Sequence, residues 1–138
     1  MNRRFPLFAI ALFSLTLVLA HATPLAPNQT FKLSSGRLAK ILSISKIEYS
    51  KGVMALLVRY QTTLSVDEHK ALSQEVDEVW HLVQKEADHA GYGDAIISSN
   101  ETPKGVFITA NHVLNFIYEK GTDGKWTRLN RADFMAME

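Results

Sequence analysis

The sequence predicts an α+β fold. The expected order is ββαβββ: an antiparallel sheet of about five strands packed on one long helix, as a single domain behind a cleaved signal peptide. Three observations carry this expectation. On Val53–Thr62 the residues Met54, Leu56, Val58 and Tyr60 fall on one face at a period of two, while the other face is apolar at Val53, Ala55 and Leu57 and polar at Arg59 and Gln61. Val66–Ala90 carries an apolar stripe at helical spacing. Phe116–Leu129 reads as a hairpin around Asp123-Gly124. With 138 residues, 46% of them hydrophobic and 21% charged, the chain has the size and composition of one globular domain.

The first element is an export signal. Arg3 and Arg4 form a positive start, Leu7–Ala20 is an uncharged and mostly apolar run, and Ala20-His21-Ala22 places small residues at the cleavage site. The apolar run is too short to span a bilayer and is followed by Pro24 and Pro27, so cleavage after Ala22 is expected, leaving no membrane attachment. Residues 23–37 read as a flexible lead, and residues 38–138 as the domain. Removing the two arginines leaves 13 basic and 14 acidic residues, a near-neutral domain without the basic face that nucleic-acid binding needs. The chain has no cysteine, so an exported domain of this sequence must rely on its core rather than on disulfides, which fits a bacterial periplasm.

Each element of the domain has a local reason. Lys40–Tyr49 and Val53–Thr62 form a hairpin through the turn Ser50-Lys51-Gly52. On the second strand Met54, Leu56, Val58 and Tyr60 share one face. Ser65 is placed as the N-cap of the helix, with Glu68 completing a capping box. Leu72, Val76, Val79, Val83, Ala87 and Ala90 form the buried stripe with Trp80 at its margin, and Gly91 ends the helix in the left-handed conformation. Asp94–Ser99 is the third strand. Val106–Lys120 is too long for one regular strand, and Ala110-Asn111-His112 marks a bend. Lys125–Leu129 closes the sheet. The register of this hairpin has two solutions. A three-residue loop puts Trp126 on the face of Phe116 and Tyr118, and a four-residue loop puts it on that of Ile117 and Glu119. The first is favoured because Asp-Gly suits a type I turn followed by a left-handed Gly124. That hairpin, with Asp123-Gly124-Lys125-Trp126 at its turn, resembles the closing hairpin of cone-shaped NTF2-like domains. In that family the long helices precede the sheet, whereas here the helix follows two strands, and membership is not claimed.

Chemistry-bearing patterns are few. The chain has no cysteine nucleophile, no Gly-x-Ser-x-Gly elbow, no phosphate-cradling glycine loop and no His-Glu-x-x-His pair. Asp77, His81 and Asp88 have helical metal-ligand spacing, but the favoured reading is a solvated face opposite the stripe, with no metal or other cofactor. His69, near the helix start, reads as packed or as helping the cap. Asn111, His112 and Asn115 interrupt an apolar strand: either a bulge exposes them, or they line a pocket under the helix with His112 as an acid/base candidate. Tyr92 and Asp94, in the loop after the helix, and Trp126 are candidate recognition residues.

Two functional expectations follow. The first is a small exported, non-enzymatic domain that binds another protein in the periplasm, as inhibitor- or immunity-type proteins do. The second is a cavity for a small ligand, or a minor acid/base enzyme using His112. An apolar cavity around His112 favours the second, and a filled core with an exposed aromatic patch the first.

Overall fold

The computed structural model describes residues 25–103 and 112–130. One helix packs on a six-stranded sheet whose strands lie in chain order: β1 (Thr30–Lys32), β2 (Leu38–Ser50), β3 (Val53–Thr62), β4 (Asp94–Glu101), β5 (Val113–Lys120) and β6 (Trp126–Arg128). The helix, α1 (His69–Ala90), connects β3 to β4.

The sheet is mixed, which corrects the expectation of an antiparallel one. β3 and β4 run parallel, with Ala55 opposite Asp94 and Thr62 opposite Glu101, while every other neighbouring pair is antiparallel. The reason lies in the helix itself. Its 22 residues extend about 33 Å at 1.5 Å per residue, the length of the ten-residue β3. A helix that runs back along the strand it follows returns the chain to the end where that strand began. The next strand must then run the same way.

The described part of the expected lead, residues 25–37, is built into the fold. Thr30–Lys32 forms edge strand β1 against Leu38–Lys40, and Leu33 is buried in the main core. The Leu33–Arg37 link closes through Leu33 N–H on the Arg37 carbonyl, with Gly36 at φ 83°. The sixth strand comes from this segment, whose three residues are too few to show a period. Of the expected Val106–Lys120 strand, residues 106–111 lie outside the described residues, and β5 begins at Val113.

The helix starts later than its capping signal suggests. Glu68 N–H bonds the Ser65 carbonyl at 3.0 Å, and the Glu68 carboxylate accepts from Ser65 N–H at 2.8 Å. These residues therefore build a turn that ends where α1 begins, with no side-chain bond at the cap itself. The other end follows expectation. Gly91 is left-handed at φ 74°, Tyr92 N–H returns to the Ala87 carbonyl, and the Tyr92 ring packs on the core.

The core lies between α1 and one sheet face. Val76, Val79, Trp80, Val83 and Ala87 meet Ile41, Leu56, Val58, Tyr60, Ala95, Ile97 and Tyr118. A smaller cluster of Ala55, Leu57, Ile96 and Ile117, joined by Ile47 and Leu129, occupies the opposite face.

Candidate functional site

Among the described residues the sheet leaves part of each margin unpaired. β6 covers β5 only from Tyr118 to Lys120, with one further bond from Leu129 N–H to the Ile117 carbonyl. No strand among the described residues pairs with the outer edge of β5 at Val113 and Asn115. Around that edge lies a cleft of about 480 Å³, lined by His69 and Ser73 of α1, residues 113–117 of β5, and Arg128, Leu129 and Asn130. Its walls are mainly apolar, through Val113, Leu114, Phe116, Ile117 and Leu129, with polar groups at a few points. Its volume is in the range of ligand-binding clefts.

Local sequence explains how these side chains converge. His69 and Ser73 are four residues apart and so share one helix face. Leu114 and Phe116 project from β5 on the helix side and Asn115 and Ile117 on the other, so the cleft wraps the strand margin. Arg128 is held in place: one guanidinium nitrogen donates to the Ser73 carbonyl and to Asp77, both at 3.0 Å. Its fork retains other N–H groups, and Arg128 is itself part of the cleft lining.

The same flank of α1 keeps Asp77, His81 and Asp88 in contact with water, as expected, and adds bonds from two of them to the sheet. Tyr118 donates its hydroxyl to Asp77 at 2.8 Å, beside the Arg128 bond. Asp88 accepts from Lys120 Nζ at 2.7 Å and from Trp126 Nε1 at 2.9 Å. The bonds from Lys120 and then Trp126 hold the Asp88 carboxyl below the usual carboxylate range. The two aspartates therefore tie the helix to β5 and β6 from a flank that stays open to water, where His81 and Asp88 are exposed and Asp77 is half-exposed. Burial, with Asp77 second, pushes the Tyr118 hydroxyl far above its ordinary value, so it stays a donor throughout the working pH range.

The sequence candidates separate into two groups. Asn115 alone lies in the cleft lining. His112 is close in sequence, but its side chain is 63% exposed and its Nδ1 is 3.4 Å from Glu101. Asn111 lies outside the described residues. Tyr92, Asp94 and Trp126 gather at the other end of the sheet, where Lys120 N–H bonds the Gly93 carbonyl. Trp126 is on the face of Phe116 and Tyr118, through a three-residue loop closed by Gly121 N–H on the Lys125 carbonyl, with Gly124 at φ 79°. It packs edge-on to Trp80 at 4.9 Å, and these two rings with Tyr118 floor a second, more open groove bordered by Asp77, His81, Gln84 and Lys125. Sequence reasoning missed Ser73, Leu114, Arg128, Leu129 and Asn130. The available signal was the apolar Leu114 and Phe116 flanking Asn115 on a strand that only a three-residue partner follows.

Comparison with protein families, with curated proteins and with solved structures finds no match to this chain.

Proposed function

We propose that the protein is an exported, non-enzymatic binding domain that takes an extended peptide segment of a partner protein along the outer edge of β5. The observation that supports this reading is the apolar cleft wrapped around an open strand margin. A strand edge supplies main-chain hydrogen bonds to an added strand, and flanking apolar walls receive its alternate side chains. The exposed His112, outside the described lining of the cleft, makes binding a better account than acid/base chemistry.

The test uses the direction of the backbone. Leu129 N–H bonds the Ile117 carbonyl across the β5–β6 margin, so the odd-numbered residues of β5 direct N–H and C=O outward. Asn115→Pro removes one outward donor and spares the ladder to β4, a place where an edge strand accepts proline. A library of random linear heptapeptides panned on the immobilised protein is expected to enrich sequences with alternating apolar residues. Asn115→Pro should weaken their binding at least about tenfold while keeping a cooperative thermal transition. Enrichment of nothing, or of peptides that bind Asn115→Pro equally well, would overturn the proposal.

Export rests on Arg3, Arg4, Leu7–Ala20 and Ala20-His21-Ala22. N-terminal sequencing of protein recovered from a bacterial periplasmic extract should begin at Thr23. A chain that retains residue 1 in the membrane fraction would refute cleavage.

A further inference from the structure

The opposite margin of the sheet is also open, and it carries its own pattern. β1 covers β2 at Leu38–Lys40, and the Asn28 and Gln29 backbone extends the pairing to Ile41. A register shift follows at Leu42, and among the described residues nothing pairs with the outer edge from Ser43 to Ser50. Ile41 exchanges both its backbone bonds outward and faces the helix side of the sheet. Side-chain face and bond direction are locked together along a strand. Beyond the shift, the residues on the helix side are Ile44, Lys46 and Glu48, opposite Val58, Leu56 and Met54. These three direct their N–H and C=O groups at the open edge.

We infer that this edge pairs with a second copy of the chain, antiparallel about a two-fold axis at Ile47. Outward-directed residues must pair with outward-directed residues, so only a few registers exist. Centring on Lys46 sets lysine against lysine, and centring on Glu48 sets glutamate against glutamate. Centring on Ser45 sets Ile44 against Lys46 and leaves both charges without an opposite. Centring on Ile47 sets Lys46 against Glu48 of the copy twice over, a favourable cross-strand pair on each side of the axis. The same register brings Ile47, already packed against the second apolar cluster, face to face with its counterpart. Lysine on a strand edge is a common guard against pairing, but here the glutamate two residues on complements it in this one register. Two sheets so joined are continuous, with both helices on one side, and the interface is isologous, as two-fold symmetry requires.

The test is a charge swap read by sedimentation velocity of the full protein at low salt, across micromolar to millimolar concentrations. The wild-type chain should show a reversible dimer. Lys46→Glu places like charges opposite each other in both pairs and should weaken the dimer at least about tenfold. Lys46→Glu combined with Glu48→Lys restores opposite charges and should restore the dimer. Both sites are exposed, so Lys46→Glu should keep the wild-type thermal midpoint at monomeric concentrations. The double variant also gives up the Gly52 N–H bond to the Glu48 carboxylate at 2.7 Å and is compared with Glu48→Lys alone. A chain that stays monomeric throughout, or a Lys46→Glu protein that dimerises as well as wild type, would overturn the inference. Asn115→Pro acts on the other margin, so failure of the peptide proposal leaves this result unaffected.

Discussion

Replacing Trp80 by alanine is expected to remove about 4 kcal/mol of folding stability, the largest loss from any single truncation of the core. Trp80 is 4% exposed and sits where the helix meets β5 and β6. Its ring stacks on Tyr118 at 4.4 Å with 14° between planes, and Trp126 meets it edge-on. Removing it therefore leaves a cavity and also ends two aromatic contacts, each worth about 1 kcal/mol beyond the buried area. The loss should spread further, because Tyr118 and Trp126 present the donors that Asp77 and Asp88 accept. A domain of this size is stable by only about 5–15 kcal/mol, so the variant should approach the folding threshold. Urea unfolding followed by far-UV circular dichroism measures the difference. Leu82→Ala, on the exposed side of the same helix, is the control and should cost under about 0.5 kcal/mol. A loss at Trp80 as small as that at Leu82 would mean that the aromatic cluster does not hold the helix to the sheet.

That cluster also shows what the sequence conveyed and where it stopped. The stripe was legible because helical spacing is a local property: Leu72, Val76, Val79, Val83 and Ala87 are fully buried, whereas Ala90, expected as its sixth member, is exposed at the helix end. The face of Trp126 was legible because Asp123-Gly124 specifies a loop length, and loop length sets register. The parallel pairing of β3 with β4 was not read. Nothing local distinguishes the two directions, and the answer depends on which way a 22-residue helix travels over the sheet. Ser65 and Glu68 carried a true signal with a displaced meaning: the pair satisfies one backbone donor, but in the turn before the helix. The bonds of Asp77 and Asp88 to the sheet were not read, because the helix pattern marks two sides, core and solvent, whereas a sheet wider than the helix creates a third. β5 and β6 extend past the apolar stripe and meet its polar flank there. The cleft is a product of the same geometry. Its residues come from three elements whose meeting follows from strand order, and the one candidate legible beforehand, Asn115, stood out as a polar residue in an apolar strand.

The two open margins share a cause. β2 has 13 residues and β5 has 8, but each is bordered by an outer strand of three. Among the described residues the uncovered stretches are Ser43–Ser50 on β2 and Val113–Phe116 on β5, at opposite edges of one sheet. Their chemistry differs. The β2 edge presents a lysine and a glutamate that complement a copy of themselves, whereas the β5 edge is set in apolar walls with an arginine nearby. Self-pairing suits the first and capture of a different chain suits the second. A dimer through β2 would leave both β5 clefts open, one at each end of the joined sheet. Binding to a partner carrying two copies of the recognised segment would then gain from linkage without any new contact.

Arg37→Ala is expected to cost about 2–3 kcal/mol, and the loss should be largely recovered by a second substitution that removes more of the native structure. Glu75 lies on the buried face of α1 with its side chain 1% exposed, and Arg37 Nε donates to its Oε2 at 2.9 Å. The other oxygen, Oε1, and the Tyr60 hydroxyl have no hydrogen-bond partner among the described residues. Burial, with the charge of Glu75 second, pushes the Tyr60 hydroxyl far above its ordinary value, so it remains protonated beside the carboxylate. Arg37, which reaches in from the β1–β2 connection, is therefore the charged partner of Glu75, with the protonated Tyr60 hydroxyl beside the carboxylate. Truncating Arg37 strands a buried charge, a change worth about 3–5 kcal/mol in a fully enclosed pair. The value here is lower because the Arg37 side chain is 31% exposed and water can enter in its place. Glu75→Leu in the Arg37→Ala background removes the stranded charge and fills similar volume with apolar atoms, next to Tyr60 and Val76. The double variant should lie within about 1 kcal/mol of wild type in urea unfolding, giving a coupling energy that the single variants cannot supply. If Arg37→Ala unfolds like wild type, or if adding Glu75→Leu makes it worse, the pair does not act as a buried unit. The ion pair would then be a surface contact of little energetic weight.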